Sequence, residues 1–125
     1  MKINREELAW AAGFVDGEGT FSCKMRDTES CRKGYPTFSI QQTGTLIALD
    51  RMQKVFGDAG VQVKRYGPYG PYENNLGKRP HYRLEAYGFE KVQAIMALLW
   101  TWLGPIKRAQ AKSVLYLKES KPWGV

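Results

Sequence analysis

The sequence predicts an α+β fold, ordered αββαββα with a trailing helix, in which helices cover one face of a four-stranded antiparallel sheet. Three observations lead there. Four segments alternate apolar and polar residues, the period of a half-buried strand. Other segments repeat apolar residues at helical spacing. The unit of strand pair plus helix occurs twice, a repeat of architecture without clear repetition of residues.

Asn4 caps a first helix over residues 5–16, with Glu6 and Glu7 near the positive end of its dipole. Ala9, Ala11, Ala12 and Gly13 leave part of this helix almost free of side-chain bulk. The first strand, 20–26, alternates Phe21, Cys23 and Met25 with Ser22, Lys24 and Arg26. A polar loop over 27–34 leads to a second strand, 35–42, where Phe38 and Ile40 alternate with Thr37, Ser39 and Gln41. The two strands make a hairpin. Leu46, Leu49, Met52, Val55 and Phe56 define a second helix over 45–56, stopped by Gly57. A third strand, 61–66, alternates Val61 and Val63 with Gln62 and Lys64. The segment 67–80 is rich in Gly, Pro, Asn and Tyr, and loops of that length usually serve a function or move. The fourth strand, 81–87, alternates Tyr82, Leu84 and Ala86 with His81, Arg83 and Glu85. A strongly apolar helix follows over 89–102, and Pro105 opens a last one that reaches about residue 119.

A chain of 125 residues fits one domain, 1–125. Its 19 Lys and Arg against 12 Asp and Glu give a net charge of +7, which suits a polyanionic partner. Cys23 and Cys31 are too few for a disulfide framework or a zinc site. Arg5, Glu6 and Glu7 interrupt any apolar run, so no secretory leader is expected, and the apolar stretch from Ile95 to Leu103 is too short to span a bilayer. An intracellular chain without a membrane partner follows; its compartment is left open.

The outward strand positions collect Ser22, Lys24, Arg26, Thr37, Ser39, Gln41, Gln62, Lys64, His81, Arg83 and Glu85. Donors and acceptors of this kind read base edges, while the cations neutralise phosphates. The loops add Arg32, Lys33, Asn74, Lys78 and Arg79, with Tyr66 beside them. A solvated sheet face explains any one strand equally well. It explains less well why basic residues recur on three strands and in both long loops.

The sharpest feature is Ala11-Ala12-Gly13-Phe14-Val15-Asp16-Gly17-Glu18-Gly19. It sets two carboxylates where a helix ends, at the negative end of the dipole. A local rule broken in this way marks a functional site, and a divalent cation with hard oxygen ligands would relieve the repulsion. A bare Asp-Gly-Glu-Gly could equally be a solvated turn. The surrounding residues, however, closely resemble the signature helix of the LAGLIDADG homing endonucleases. Phe38-Ser39-Ile40-Gln41-Gln42 is similar to the family's second-strand motif, and Lys107-Arg108-Ala109-Gln110-Ala111 to its late Lys-x-x-Gln-Ala segment. The resemblance runs from Leu8 to about Leu117, and its single signature copy resembles the homodimeric branch.

This resemblance implies a site-specific double-strand DNA endonuclease that uses Mg²⁺, with Mn²⁺ or Ca²⁺ able to occupy the same site. It implies that Glu18 and the Gly17 carbonyl bind metal. Gln42, or its neighbour Gln41, would position water, and Lys107 would organise solvent or stabilise charge. Ala9, Ala12, Gly13 and Asp16 would form the interface of a homodimer, with Asp16 also steadying the helix junction. Two-fold symmetry implies a pseudo-palindromic duplex target, cut to leave short 3′ overhangs. Thr43-Gly44-Thr45 departs from the family's usual charged continuation. His81 is read as a DNA contact. The rival readings are a non-cleaving nucleic-acid-binding protein of the same fold, such as an intron maturase or regulator, and a structural domain with a basic surface. Glu18 argues against the first, and the helix-end acids against the second.

Overall fold

Burial of apolar side chains from the helices and from three of the four strands dictates the architecture. A computed structural model of the chain describes residues 3–24, 35–70 and 79–120, with the side chains of 24 and 116–120 excepted. The helices are α1 (Arg5–Glu18), α2 (Ile47–Asp58), α3 (Phe89–Leu99) and α4 (Pro105–Ser120). The strands are β1 (Gly19–Lys24), β2 (Tyr35–Thr43), β3 (Lys64–Tyr69) and β4 (His81–Tyr87), in one antiparallel sheet of order β1-β2-β4-β3.

The helix-covered face carries Phe21, Phe38, Ile40, Leu84 and Ala86, all buried. Phe38 lies at the centre, with Phe21 at 5.2 Å and Phe56 of α2 edge-on at 6.1 Å between ring centroids. Removing such a ring from water contributes on the order of 2–3 kcal/mol. Val15, Met52, Ile95 and Leu99 close the core from α1, α2 and α3. No helix among the described residues is long and apolar enough to cross a membrane.

Asn4 caps α1 as expected, its side-chain oxygen accepting from Glu7 N at 3.1 Å. The Glu7 carboxylate receives two hydrogen bonds from Arg51 of α2, which hold its pKa below the usual value. Among the described residues, four elements differ by two residues or more from the sequence expectation. Helix α1 runs two residues further, through Glu18, so the paired acids belong to its last turn. Helix α2 starts later, at Ile47, with the Thr45 hydroxyl accepting from Ile47 N at 3.2 Å. It passes through Gly57 to Asp58, and Gly60 at φ +89° makes the turn. Helix α3 gives way at Trp100–Trp102 to a 3-10 turn.

The fourth difference concerns β3. Val61 and Val63 are buried, yet they precede the strand. Val61 N donates to Phe56 O at 2.8 Å, and the Gln53 side chain donates to Val63 O at 3.2 Å. The alternation there records packing under α2, and backbone groups bonded to α2 do not join the sheet. Pairing begins at Lys64, opposite Glu85, and extends to Tyr69, into the expected loop. The ladder is irregular between Tyr66 and Tyr69, where Pro68 has no N–H to offer.

The junction of α1 and β1 is tight. A Cβ on Gly19 would lie 2.9 Å from Val15 Cγ1 and 3.1 Å from the Val15 backbone. Gly19→Ala is therefore expected to lower stability by about 1–3 kcal/mol through overpacking, measured by urea denaturation. An unchanged midpoint would mean that the junction relaxes without cost.

Candidate active site and nucleic-acid face

The junction gathers its functional groups by geometry that no local pattern encodes. Asp16 accepts from Gly104 N through both carboxylate oxygens, at 3.0 and 3.1 Å. Gly104 immediately precedes α4, so Asp16 ties the start of that helix to the end of α1. Six residues on, Gln110 Oε1 accepts from Phe21 N at 2.8 Å, satisfying a backbone donor on the edge strand β1. These two tethers bracket the segment holding Gly17, Glu18 and Gly19. Half-buried Lys107 lies on α4 between them, one turn from Gln110. Arg108 secures the preceding turn by donating to Trp100 O and Thr101 O, at 3.0 and 3.2 Å.

Glu18 is exposed, and no described side chain bonds or pairs with it. The last turn of α1 contains no basic residue. Uncompensated negative charge therefore accumulates at this helix end. The strand register places Gly19 opposite Ile40. Pairing stops at Gly19, where α1 ends, so Gln41 and Gln42 continue β2 past the end of β1. Gln41 is exposed on the open face, whereas Gln42 is half-buried and level with Tyr82 on the helix-covered side.

A divalent cation fits this chemistry in part. The Glu18 carboxylate and the main-chain oxygens of the turn are hard donors suited to Mg²⁺. Asp16 already serves Gly104. Among the described residues no three His, Cys, Asp or Glu come together. Glu18 is thus the carboxylate of this helix end that stays free among the described residues.

The predicted open face exists. Its rows, read across the sheet, are Ser22-Thr37-Tyr87, Thr20-Ser39-Glu85-Lys64, Gln41-Arg83-Tyr66 and Thr43-His81-Tyr69. Lys64 is exposed, and Ser39, Tyr66 and His81 are half-buried. Thr37 is only 8% exposed, and its hydroxyl lies 2.8 Å from that of Ser22. Arg79 packs over Gly44 at φ +84°. Arg26, Arg32, Lys33, Asn74, Lys78 and the side chain of Lys24 lie outside the described residues.

Two placements depart from the sequence reading. Arg65, which the strand pattern did not single out, pairs with Leu84 on the helix-covered side and forms an ion pair with Asp50 of α2. Ala12 is fully buried within the chain and so belongs to the core, not to an open helix surface. The small-residue surface of α1 consists of Ala9, Gly13 and Gly17, with exposed Asp16 at its margin. Nothing lies within 4 Å of where a Cβ would stand on Gly13 or Gly17. The hydrogen bonds of Asp16 and Gln110 were equally missed. Sequence reading makes Asp16 a steadying residue of the helix junction and Gln110 part of the Lys-x-x-Gln-Ala segment, but foresees neither partner, Gly104 or Phe21.

No family model and no curated protein matches the chain. Solved structures do. The homing endonuclease I-CvuI, in complex with its target in the presence of calcium, is 24% identical with a TM-score of 0.68; the match covers 94% of this chain and 69% of that one. The group I intron-encoded homing endonuclease I-CeuI, complexed with DNA, is 16% identical with a TM-score of 0.63, covering 96% and 57%. The LAGLIDADG homing endonuclease I-SmaMI, bound to cleaved DNA, is 21% identical with a TM-score of 0.62; the match covers 97% of this chain but 38% of that one. At these identities the likeness is one of fold.

Proposed function

We propose that this protein, whose fold is that of the LAGLIDADG homing endonucleases, is a metal-dependent, site-specific DNA endonuclease that works as a homodimer. The observation that carries the reading is Glu18, an exposed carboxylate without a partner among the described residues, at the negative end of α1. The polar and basic sheet face beginning at that helix end supports a duplex-DNA partner.

The metal would be held by Glu18 and the Gly17 carbonyl of each copy, together with phosphate oxygens. A bound Mg²⁺, Mn²⁺ or Ca²⁺ would supply Lewis-acid stabilisation of charge developing on the phosphate and the departing 3′ oxygen. Lys107 brings a positive charge toward the phosphate. An amide, from Gln42 or Gln41, can both donate to and accept from a water and hold it in line. Asp16 does not enter the chemistry; it fixes α4 and with it Lys107. Ala9, Gly13 and Gly17 let a second α1 approach closely, with Asp16 at the edge of that contact. Two-fold symmetry then places one Glu18 against each strand of a pseudo-palindromic target.

Incubating the protein with a randomised duplex-DNA library tests the reading. Discrete double-strand cuts at a pseudo-palindrome, dependent on Mg²⁺, are expected. Sequence-selective binding without cutting would transfer the protein to the non-cleaving class, as a maturase or regulator.

A further inference from the structure

We infer that Arg83 is a pre-oriented reader of guanine and that Glu85 is the residue that positions it; the inference rests on the DNA-binding reading above. Arg83 stands mid-sheet on the open face, between Gln41 and Tyr66. Its guanidinium is held from several directions. Nε lies 3.1 Å from Glu85 Oε2. Nη2 donates to the Tyr69 hydroxyl at 3.5 Å, and the guanidinium carbon sits 5.0 Å from the centre of the Tyr69 ring. Tyr69 is itself packed on His81, with ring centroids 5.4 Å apart. Nε is buried and lies in ion-pair range of Glu85 without a well-aligned hydrogen bond. Among the described residues nothing bonds to Nη1.

Glu85 is held too. The Tyr87 hydroxyl donates to Oε1, Lys64 stands opposite on β3, and the Glu85 side chain is only 11% exposed. With both oxygens engaged, Glu85 offers little to a base. Its charge offsets that of Arg83, which weakens any attraction between Arg83 and a phosphate and opposes a phosphate's approach. What remains is a planar fork, ordered before binding, with Nη1 and the second N–H of Nη2 free among the described residues. Such a fork matches the O6 and N7 acceptors of guanine in the major groove. Ordering it during folding lowers the cost of ordering it on binding. Arg83 shares its row with Gln41, which follows Ile40, the partner of Gly19 at the end of α1.

Binding selection from a randomised duplex library, with Ca²⁺ in place of Mg²⁺, tests the assignment on wild type, Arg83→Gln, Arg83→Lys and Glu85→Gln, each checked for an intact thermal transition. Wild type is expected to require guanine at one position per half-site. Arg83→Gln is expected to move that preference to adenine, and Arg83→Lys to relax it, discrimination falling roughly 5- to 150-fold. Glu85→Gln is expected to lower discrimination at the same position only. The dependence of affinity on salt should stay nearly constant. A uniform loss over all sequences, with the salt slope reduced by about one, would make Arg83 a phosphate contact and overturn the assignment. Unchanged guanine preference in Arg83→Gln would overturn it while leaving the DNA-binding reading intact. Absence of any selectivity in wild type would overturn both.

Discussion

Glu18→Gln is expected to lower strand cleavage by about a thousandfold or more, while affinity for uncut duplex is retained. The substitution keeps the shape of the side chain and removes its charge, so the loss would report the carboxylate. The fold should not suffer, because no described side chain depends on Glu18. The α1 C-terminus carries Asp16 as well and has no basic residue in its last turn. Removing a negative charge there is expected to raise stability by about 0.3–1 kcal/mol. Activity lost together with stability unchanged or raised is the signature of an acid retained for function. Cleavage kinetics and a thermal melt on the same preparation read both. Cleavage at the wild-type rate would remove Glu18 from the mechanism.

Gly13→Leu is expected to produce a folded monomer that no longer cleaves. Gly13 sits in mid-helix, exposed, with nothing within 4 Å of where its Cβ would stand. Glycine in such a position costs about 1 kcal/mol relative to a good helix former, and nothing within the chain requires it. In the isolated chain leucine should therefore raise helix stability. Between two copies of α1 packed with backbones close, the same side chain holds the helices apart. Gly13→Ala should weaken association less. Sedimentation velocity across a concentration series measures the state of each variant. A Gly13→Leu protein that remains dimeric, or a wild type that is monomeric at every concentration, would remove α1 from the interface. If the proposed dimer forms the active species, cleavage and association should fall together.

These effects rest on features of different legibility. The burial of Phe21, Phe38, Ile40, Leu84 and Ala86 was readable from alternation, because burial on one sheet face imposes period two directly on the residues. The Asn4 cap was readable because its bond spans three residues. Local periodicity misplaced β3, since Val61 and Val63 alternate for a different partner, the end of α2. It assigned no face to Arg65, whose ion pair with Asp50 depends on where α2 lies across the sheet.

By itself the sequence determined the α+β class, the element order, the polar composition of one sheet face and the acids at the first helix end. These follow from side-chain period, capping chemistry and charge, which act over a few residues. Tertiary structure alone decided the strand order, the burial of Ala12, the open surface at Gly13 and Gly17, and the clamp on Arg83. It also decided that Asp16 grips Gly104 and Gln110 grips Phe21, pairs separated by 88 and 89 residues. A hydrogen bond across such a distance leaves no periodic trace, because chain closure, set by packing of the whole core, selects its two ends.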